Sequence, residues 1–262
     1  MIKTTYALQT FDGGNNQNIT RFATSDRSEL TKKCVTSFLQ SVVHCANSVS
    51  SSHHVVYIVD DGSSMSTQDW LSSIAESYQQ DNVDIHLQLY KNLGVMGSVR
   101  KCYEILKNAQ TDLVYQVQDD YLFERSTVIE CIDMFMQIQR DFDTHAVISP
   151  YNDSNTWQTT YRYAVTPRMI VAGTGGYWIQ MYDTSCSFLT SGIEFNKHWD
   201  LYEAFLNHPM DHRLEADTLN KMFVDRGVLG LMRFNSSALH LQSDLEKDPY
   251  IDWKAKWEAI VV

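Results

Sequence analysis

Two aspartates side by side, Asp119 and Asp120, close an apolar run in "DLVYQVQDDYLFE". Like charges at a strand end repel, so the pair calls for compensation by a hard cation, by hydrogen-bond donors or by water. A second acidic pair, Asp60 and Asp61, ends "VVYIVDDGSS", where Gly62 permits a tight turn. Taken alone, that pair also reads as a helix cap, since Asp, Gly and Ser are ordinary turn residues. Between the two pairs, "YKNLGVMGSVRK" carries Asn92, Gly94, Gly97 and Arg100 into a helix, where backbone N–H groups and a cation could meet phosphate. A plain loop into a helix has the same composition. Later, "DHRLEADTLNKMF" offers Glu215 and Asp217 either as general bases or as helix N-terminal carboxylates favoured by the helix dipole. "SALHLQ" sets His240 among apolar residues, as a metal donor or as a core histidine. "HPMDH" spaces His208 and His212 by four with Asp211 between, but Pro209 disrupts any helix there and no HExxH occurs, so zinc is not expected.

These clusters need elements to hold them, and the first half alternates strand-like with helix-like segments, the mark of a parallel sheet with covering helices. Strands are expected at 6–10, 55–59, 83–89, 113–117 and 146–149. A helix with apolar positions Leu30, Cys34, Val35, Phe38, Leu39, Val42 and Val43 follows Asp26 and Glu29 at capping-box spacing. Further helices follow caps at Ser66 and Ser126, and a third carries Val99, Cys102, Tyr103 and Leu106. After Pro150 the chain turns polar, aromatic and glycine-rich, notably "AGTGGYW" and the stretch around Trp157, before helices resume near 199–206 and 217–226. Long irregular stretches of this kind carry function, and glycine with aromatics suits a sugar-binding acceptor side as well as a packed loop. One domain over 1–262 is expected, with a nucleotide-binding-like half to about 125 and a more irregular half beyond.

A net charge of -11, with 32 acidic against 21 basic residues and no basic run, argues against nucleic acid or an anionic membrane surface as partner. No apolar run approaches the length of a membrane span, and the first residues lack a signal-peptide pattern, so a cytoplasmic protein is expected. The five cysteines are odd in number and widely spaced in apolar patterns, as core thiols in a reducing compartment would be.

In this order and at these separations, "VVYIVDDGSS", "KNLGVMGS" and "VYQVQDDYLF" resemble the family 2-like glycosyltransferases of GT-A fold. The resemblance covers roughly the first 125 residues and continues more loosely through "TSCSFLTSG", "LEADTLNKM" and "SALHLQ". It implies an α/β GT-A fold, a Rossmann-like, mostly parallel central sheet flanked by helices. It implies transfer of a sugar from a nucleotide sugar, foremost a UDP-sugar, to a glycan or other hydroxyl acceptor. Carried over by position, Thr10, Phe11 and Asp12 lie beside the base, Asp61 receives the uracil N–H, and Asn92, Gly97 and Arg100 border the diphosphate. Gln118, Asp119 and Asp120 take the place of the metal-binding motif. Asp120 and His240 would hold Mn2+ or Mg2+, with Asp119 as a supporting polar contact.

Two positions depart from the family pattern: Gln118 replaces a frequent aspartate, and Arg100 lies one position later than the usual arginine. The resemblance makes Asp217, or else Glu215, the base of an inverting displacement. A retaining enzyme with the same metal site and a non-catalytic nucleotide- or glycan-binding module are the alternatives. A sugar-phosphate nucleotidyltransferase would need a cationic glycine-rich loop near the first strand, and "QTFDGGNNQN" has no cation.

Overall fold

A computed structural model describes residues 1–13, 24–152, 167–183, 187–211, 213–241 and 251–262. Among these, the first half follows the alternation read from the sequence. Strand β1 (Ile2–Thr10) is followed by α1 (Arg27–Ser48), β2 (Ser52–Asp60), α2 (Met65–Ser77), β3 (Val83–Leu89), α3 (Gly94–Asn108) and β4 (Leu113–Gln118). A short β5 (Tyr121–Phe123), α4 (Thr127–Phe142) and β6 (Ala146–Ser149) follow.

Beyond the aromatic and glycine-rich stretch come β7 (Ile170–Gly173), β8 (Gly176–Met181) and β9 (Phe188–Ser191), then α5 (Gly192–Lys197), α6 (Trp199–Asn207), α7 (Leu214–Asp217) and α8 (Lys221–Val224). The described order closes with β10 (Leu229–Arg233), β11 (Ala238–His240) and α9 (Trp253–Ala259).

Nine strands form one sheet in the order β3-β2-β1-β4-β9-β6-β10-β8-β7, and β5 pairs with β11 in a separate two-stranded ribbon. The pairings place β9 and β8 against the direction of the other strands, so the sheet is mixed and mostly parallel. The period of two along β1 divides its side chains between two cores. Tyr6 and Leu8 join Val35, Phe38, Leu39 and Val42 of α1 on one face, while Ala7 meets Val99, Cys102 and Tyr103 of α3 on the other. Full burial of each large apolar side chain contributes roughly 1.5–3 kcal/mol, which anchors both helices on the sheet. Cys34, Cys45, Cys102 and Cys131 are buried; Cys186 lies outside the described residues.

Several local expectations shift. β1 starts at Ile2, its early residues being threonines that strands accept. Asp26 caps α1 through the Ser28 and Glu29 N–H groups, but Glu29 accepts from the Thr24 hydroxyl instead of returning to the cap. α2 is capped by Ser64, not Ser66. The expected helix over 217–226 is two short turns, because the Thr218 hydroxyl bonds back to the Leu214 carbonyl and the chain leaves helical geometry there. "AGTGGYW" is the β7–β8 hairpin, while Trp157 lies outside the described residues. No helix among the described residues is long and apolar enough to cross a membrane.

His54 in β2 is fully buried between the Tyr6 hydroxyl (2.8 Å) and the Ser52 hydroxyl (2.9 Å). Burial, aided by neighbouring His53, lowers its pKa from 6.5 to about 4. The unfolded chain therefore takes up a proton near pH 6.5 that the folded chain refuses until about pH 4, so stability falls as pH drops through that window. Urea unfolding is expected to show this group costing about 2 kcal/mol between pH 7 and 5, a slope that His54→Asn removes.

Candidate functional site

Register brings the strand ends together. Thr10 lies opposite Asp60, and Gln9 opposite Gln118, so the acidic turns after β2 and β4 flank the end of β1. A cleft of about 990 Å3 opens beyond these carboxyl ends, the usual ligand position in open α/β sheets. Its wall includes Phe11, Asp61, Asn92, Gln118, Asp119 and Asp120, which the sequence reading assembled, together with Arg27, Lys91 and Met210, which it did not.

The turn after β2 is pinned by Asp60. Its carboxylate accepts from the Thr10 hydroxyl (3.2 Å), the Gly62 and Ser63 N–H groups (3.2 and 3.1 Å) and the Gln68 amide (3.0 Å). Gly62 has φ +81°, which a side chain would strain. Asp61 points to the next turn: its two oxygens accept the N–H groups of Leu93 (2.7 Å) and Gly94 (2.8 Å). The residue expected to receive a uracil N–H thus first holds the Asn92–Gly94 corner, where Asn92 itself has φ 59°. Oδ2 also accepts from the Ser98 hydroxyl (3.4 Å), and the second lone pair of Oδ1 leaves Asp61 acceptor capacity.

Asp119 is engaged on both oxygens. Oδ2 accepts from the Phe11 N–H (2.8 Å) and the Thr31 hydroxyl (2.8 Å), and Oδ1 from Arg27 Nη2 (3.2 Å). Burial, with the neighbouring Asp120, pushes its pKa up, while Arg27, Phe11 and Thr31 oppose that. The chain itself thus supplies Asp119 with a structural tie, while the residue still lines the cleft. Asp120 is different: antiparallel pairing of β5 with β11 sets His240 opposite Tyr121, and His240 Nε2 comes to 3.5 Å from Asp120 Oδ2. The imidazole stacks on Tyr121 at 4.6 Å between centroids and meets Tyr151 edge-on, which fixes its plane.

A buried carboxylate and a partly buried imidazole converging beside a cleft form a donor set that fits one divalent ion. Nitrogen in the set favours Mn2+ over Mg2+. Among the described residues no group of three or more His, Cys, Asp or Glu side chains is gathered, so the two donors would leave coordination positions for ligand oxygens and water.

Other expected residues lie elsewhere. Asp12 accepts from the Ser64 N–H and hydroxyl (2.8 and 2.6 Å), joining β1 to the start of α2. Thr10 is buried on Asp60. Gly97 lies within α3, where an added Cβ would come 3.0 Å from Leu93 Cβ, and does not line the cleft. Arg100 donates to Asn207 Oδ1 (2.9 Å) and the Leu206 carbonyl (3.4 Å) of α6, because its position on α3 faces that helix, and it does not line the cleft.

Glu215 and Asp217 also do not line the cleft. Asp217 pairs with Arg213 (2.8 Å) and lies 3.8 Å from His208, and the Arg213 hydrogen bond lowers its pKa. The i,i+4 spacing of Arg213 and Asp217 was the signal for that pairing. His208 and Asp211 gather no zinc site with described residues, and His212 lies outside them.

The sheet and its helices define a GT-A-like α/β fold. The chain matches no known family profile and no curated protein in sequence. In fold it is similar to the crystal structure of S. aureus TarS 1-349, at TM-score 0.50 and 13% identity, covering 90% of this chain and 59% of that one. The chain thus spans well under two thirds of that TarS structure. The UTP-bound UGPase from Acinetobacter baumannii gives TM-score 0.47 at 13% identity, with 94% of this chain and 90% of that one covered. The apo-form glycosyltransferase GlyE in Streptococcus pneumoniae TIGR4 gives 0.43 at 14% identity, with 86% and 44% covered.

Proposed function

We propose that this chain is a metal-dependent glycosyltransferase that takes a nucleotide sugar, foremost a UDP-sugar, and delivers the sugar to a glycan or other hydroxyl acceptor. The observation that carries the reading is the convergence of Asp61, Asn92 and Asp120 on one cleft, with His240 at 3.5 Å from Asp120. Asp120 and His240 would hold Mn2+, which when bound supplies positive charge to the departing diphosphate. Asp61 and the turn it holds would receive the nucleoside. Lys91 lines the same wall and adds a cation within the cleft. The proposal covers donor binding and departure of the diphosphate; with Asp217 and Glu215 off the wall, it assigns no base.

The test is nucleotide release from a panel of UDP-, GDP- and ADP-sugars, with Mn2+ or with EDTA, in the presence and absence of hydroxyl acceptors. Release of UDP that requires Mn2+ is expected. Tight UDP binding with no release from any sugar would favour the non-catalytic module, and absence of nucleotide binding under all conditions would sink both readings.

A further inference from the structure

We infer that Arg27 is a nucleobase-reading residue, its Nη1 donating to a carbonyl oxygen of the base; this rests on the donor reading of the cleft. Arg27 is the first residue of α1 and lines the cleft wall. Its guanidinium is fixed on one side only. Nε and Nη2 both donate to the Phe11 carbonyl (3.2 and 2.8 Å), and Nη2 also donates to Asp119 Oδ1 (3.2 Å). The Phe11 N–H returns to the other oxygen of Asp119, so Arg27, Phe11 and Asp119 form a closed ring of hydrogen bonds. Nη1 is left out of that ring: it is buried and has no hydrogen-bond partner among the described residues.

A buried charged donor without an acceptor is costly, and because the Arg27 side chain is 17% exposed at the cleft wall, a small shift of it would let a bound ligand satisfy Nη1. Asp119 offsets the positive charge of Arg27, so the remaining donor is matched to a neutral acceptor in preference to a phosphate. The neighbouring surface agrees. Phe11 is 36% exposed on the same wall, and its ring lies against Gly13, where an added Cβ would come within 2.7 Å of it. An aromatic face beside a fixed planar donor suits a flat heterocycle with a carbonyl at its edge. Uracil has such a carbonyl and adenine has none.

The experiment is calorimetric titration of UDP and of ADP, each with Mn2+, into the unmodified chain and into Arg27→Ala and Arg27→Lys. Loss of one hydrogen bond to a charged group is expected to weaken UDP roughly 10- to 100-fold in Arg27→Ala while ADP changes little, so the UDP-to-ADP preference collapses. Arg27→Lys keeps the charge but lacks the planar fork, and it is expected to lose the same preference; it carries the test if the alanine variant does not fold. Equal weakening of both nucleotides, or an unchanged ratio in the lysine variant, would overturn the inference and leave the donor reading standing. If the unmodified chain binds neither nucleotide, the donor reading fails first and the role of Arg27 with it.

Discussion

Asp120→Asn is expected to abolish Mn2+-dependent nucleotide binding while leaving the ligand-free protein at least as stable. The first half follows from the donor set. Loss of a residue that merely orients a metal ligand weakens a metal site roughly 10- to 100-fold, so loss of one of two protein donors should cost about 100-fold or more. The second half follows from the repulsion: Asp120 raises the pKa of Asp119, and an amide in its place removes that penalty. His240→Ala is expected to weaken Mn2+ as well but without the gain in stability, because its ring packs on Tyr121. Calorimetry with Mn2+ and UDP, beside thermal melts without either, reads both quantities. Unchanged Mn2+ affinity in Asp120→Asn would refute the assignment of this carboxylate.

The largest effect on stability is expected at a distance from the cleft, in the pair Glu130–Arg233. Arg233 Nε on β10 lies 3.0 Å from Glu130 Oε2 on α4, and both side chains are nearly inaccessible. Arg233 also donates to the Gly175 carbonyl and lies over the Trp178 ring, so the pair clamps the β7–β8 hairpin onto α4 and β10. Gly175 has φ +80°, and a Cβ there would meet the Glu130 carboxylate at 2.4 Å. Removing one partner strands a buried charge, and Glu130→Ala or Arg233→Ala is expected to cost about 3–5 kcal/mol in urea unfolding. Exchanging both for apolar residues of similar volume should recover most of that loss. If the double exchange is as unstable as either single variant, ionic compensation is not what the pair provides.

The sequence was most legible where side-chain period and turn chemistry act locally. Tyr6 and Leu8, Val56 and Ile58, and Tyr115 and Val117 alternate as strands should, and Asp60–Gly62 and Asn92–Gly94 are corners whose residue types require little context. Motif order singled out Asp120 and His240, and β-ribbon pairing explains how two such distant residues come within 3.5 Å. Arg27 carried no local signal, because its partner Asp119 is 92 positions away and its own neighbours mark only a helix start. Arg100 shows the opposite case: it lies one position past the usual arginine, and the face of α3 it occupies is set by packing against α6. Asp217 shared both features, being placed by motif yet held by Arg213. The strands of the second half were obscured because "AGTGGYW" has turn composition at the centre of a hairpin.

The β5–β11 ribbon also sets an order of assembly. Asp120 is in place once the first half of the sheet has formed, but its partner belongs to a strand that enters the fold 120 positions later. Leu239 and Leu241 are buried with Leu30, Cys34, Leu122, Trp253 and Trp257, so the histidine arrives together with a separate small core. Pairings of such sequence separation form late in folding. A chain emerging from synthesis would therefore own its acidic turns well before it could complete the proposed two-donor site, and metal binding, if the proposal holds, would report that the last core had closed.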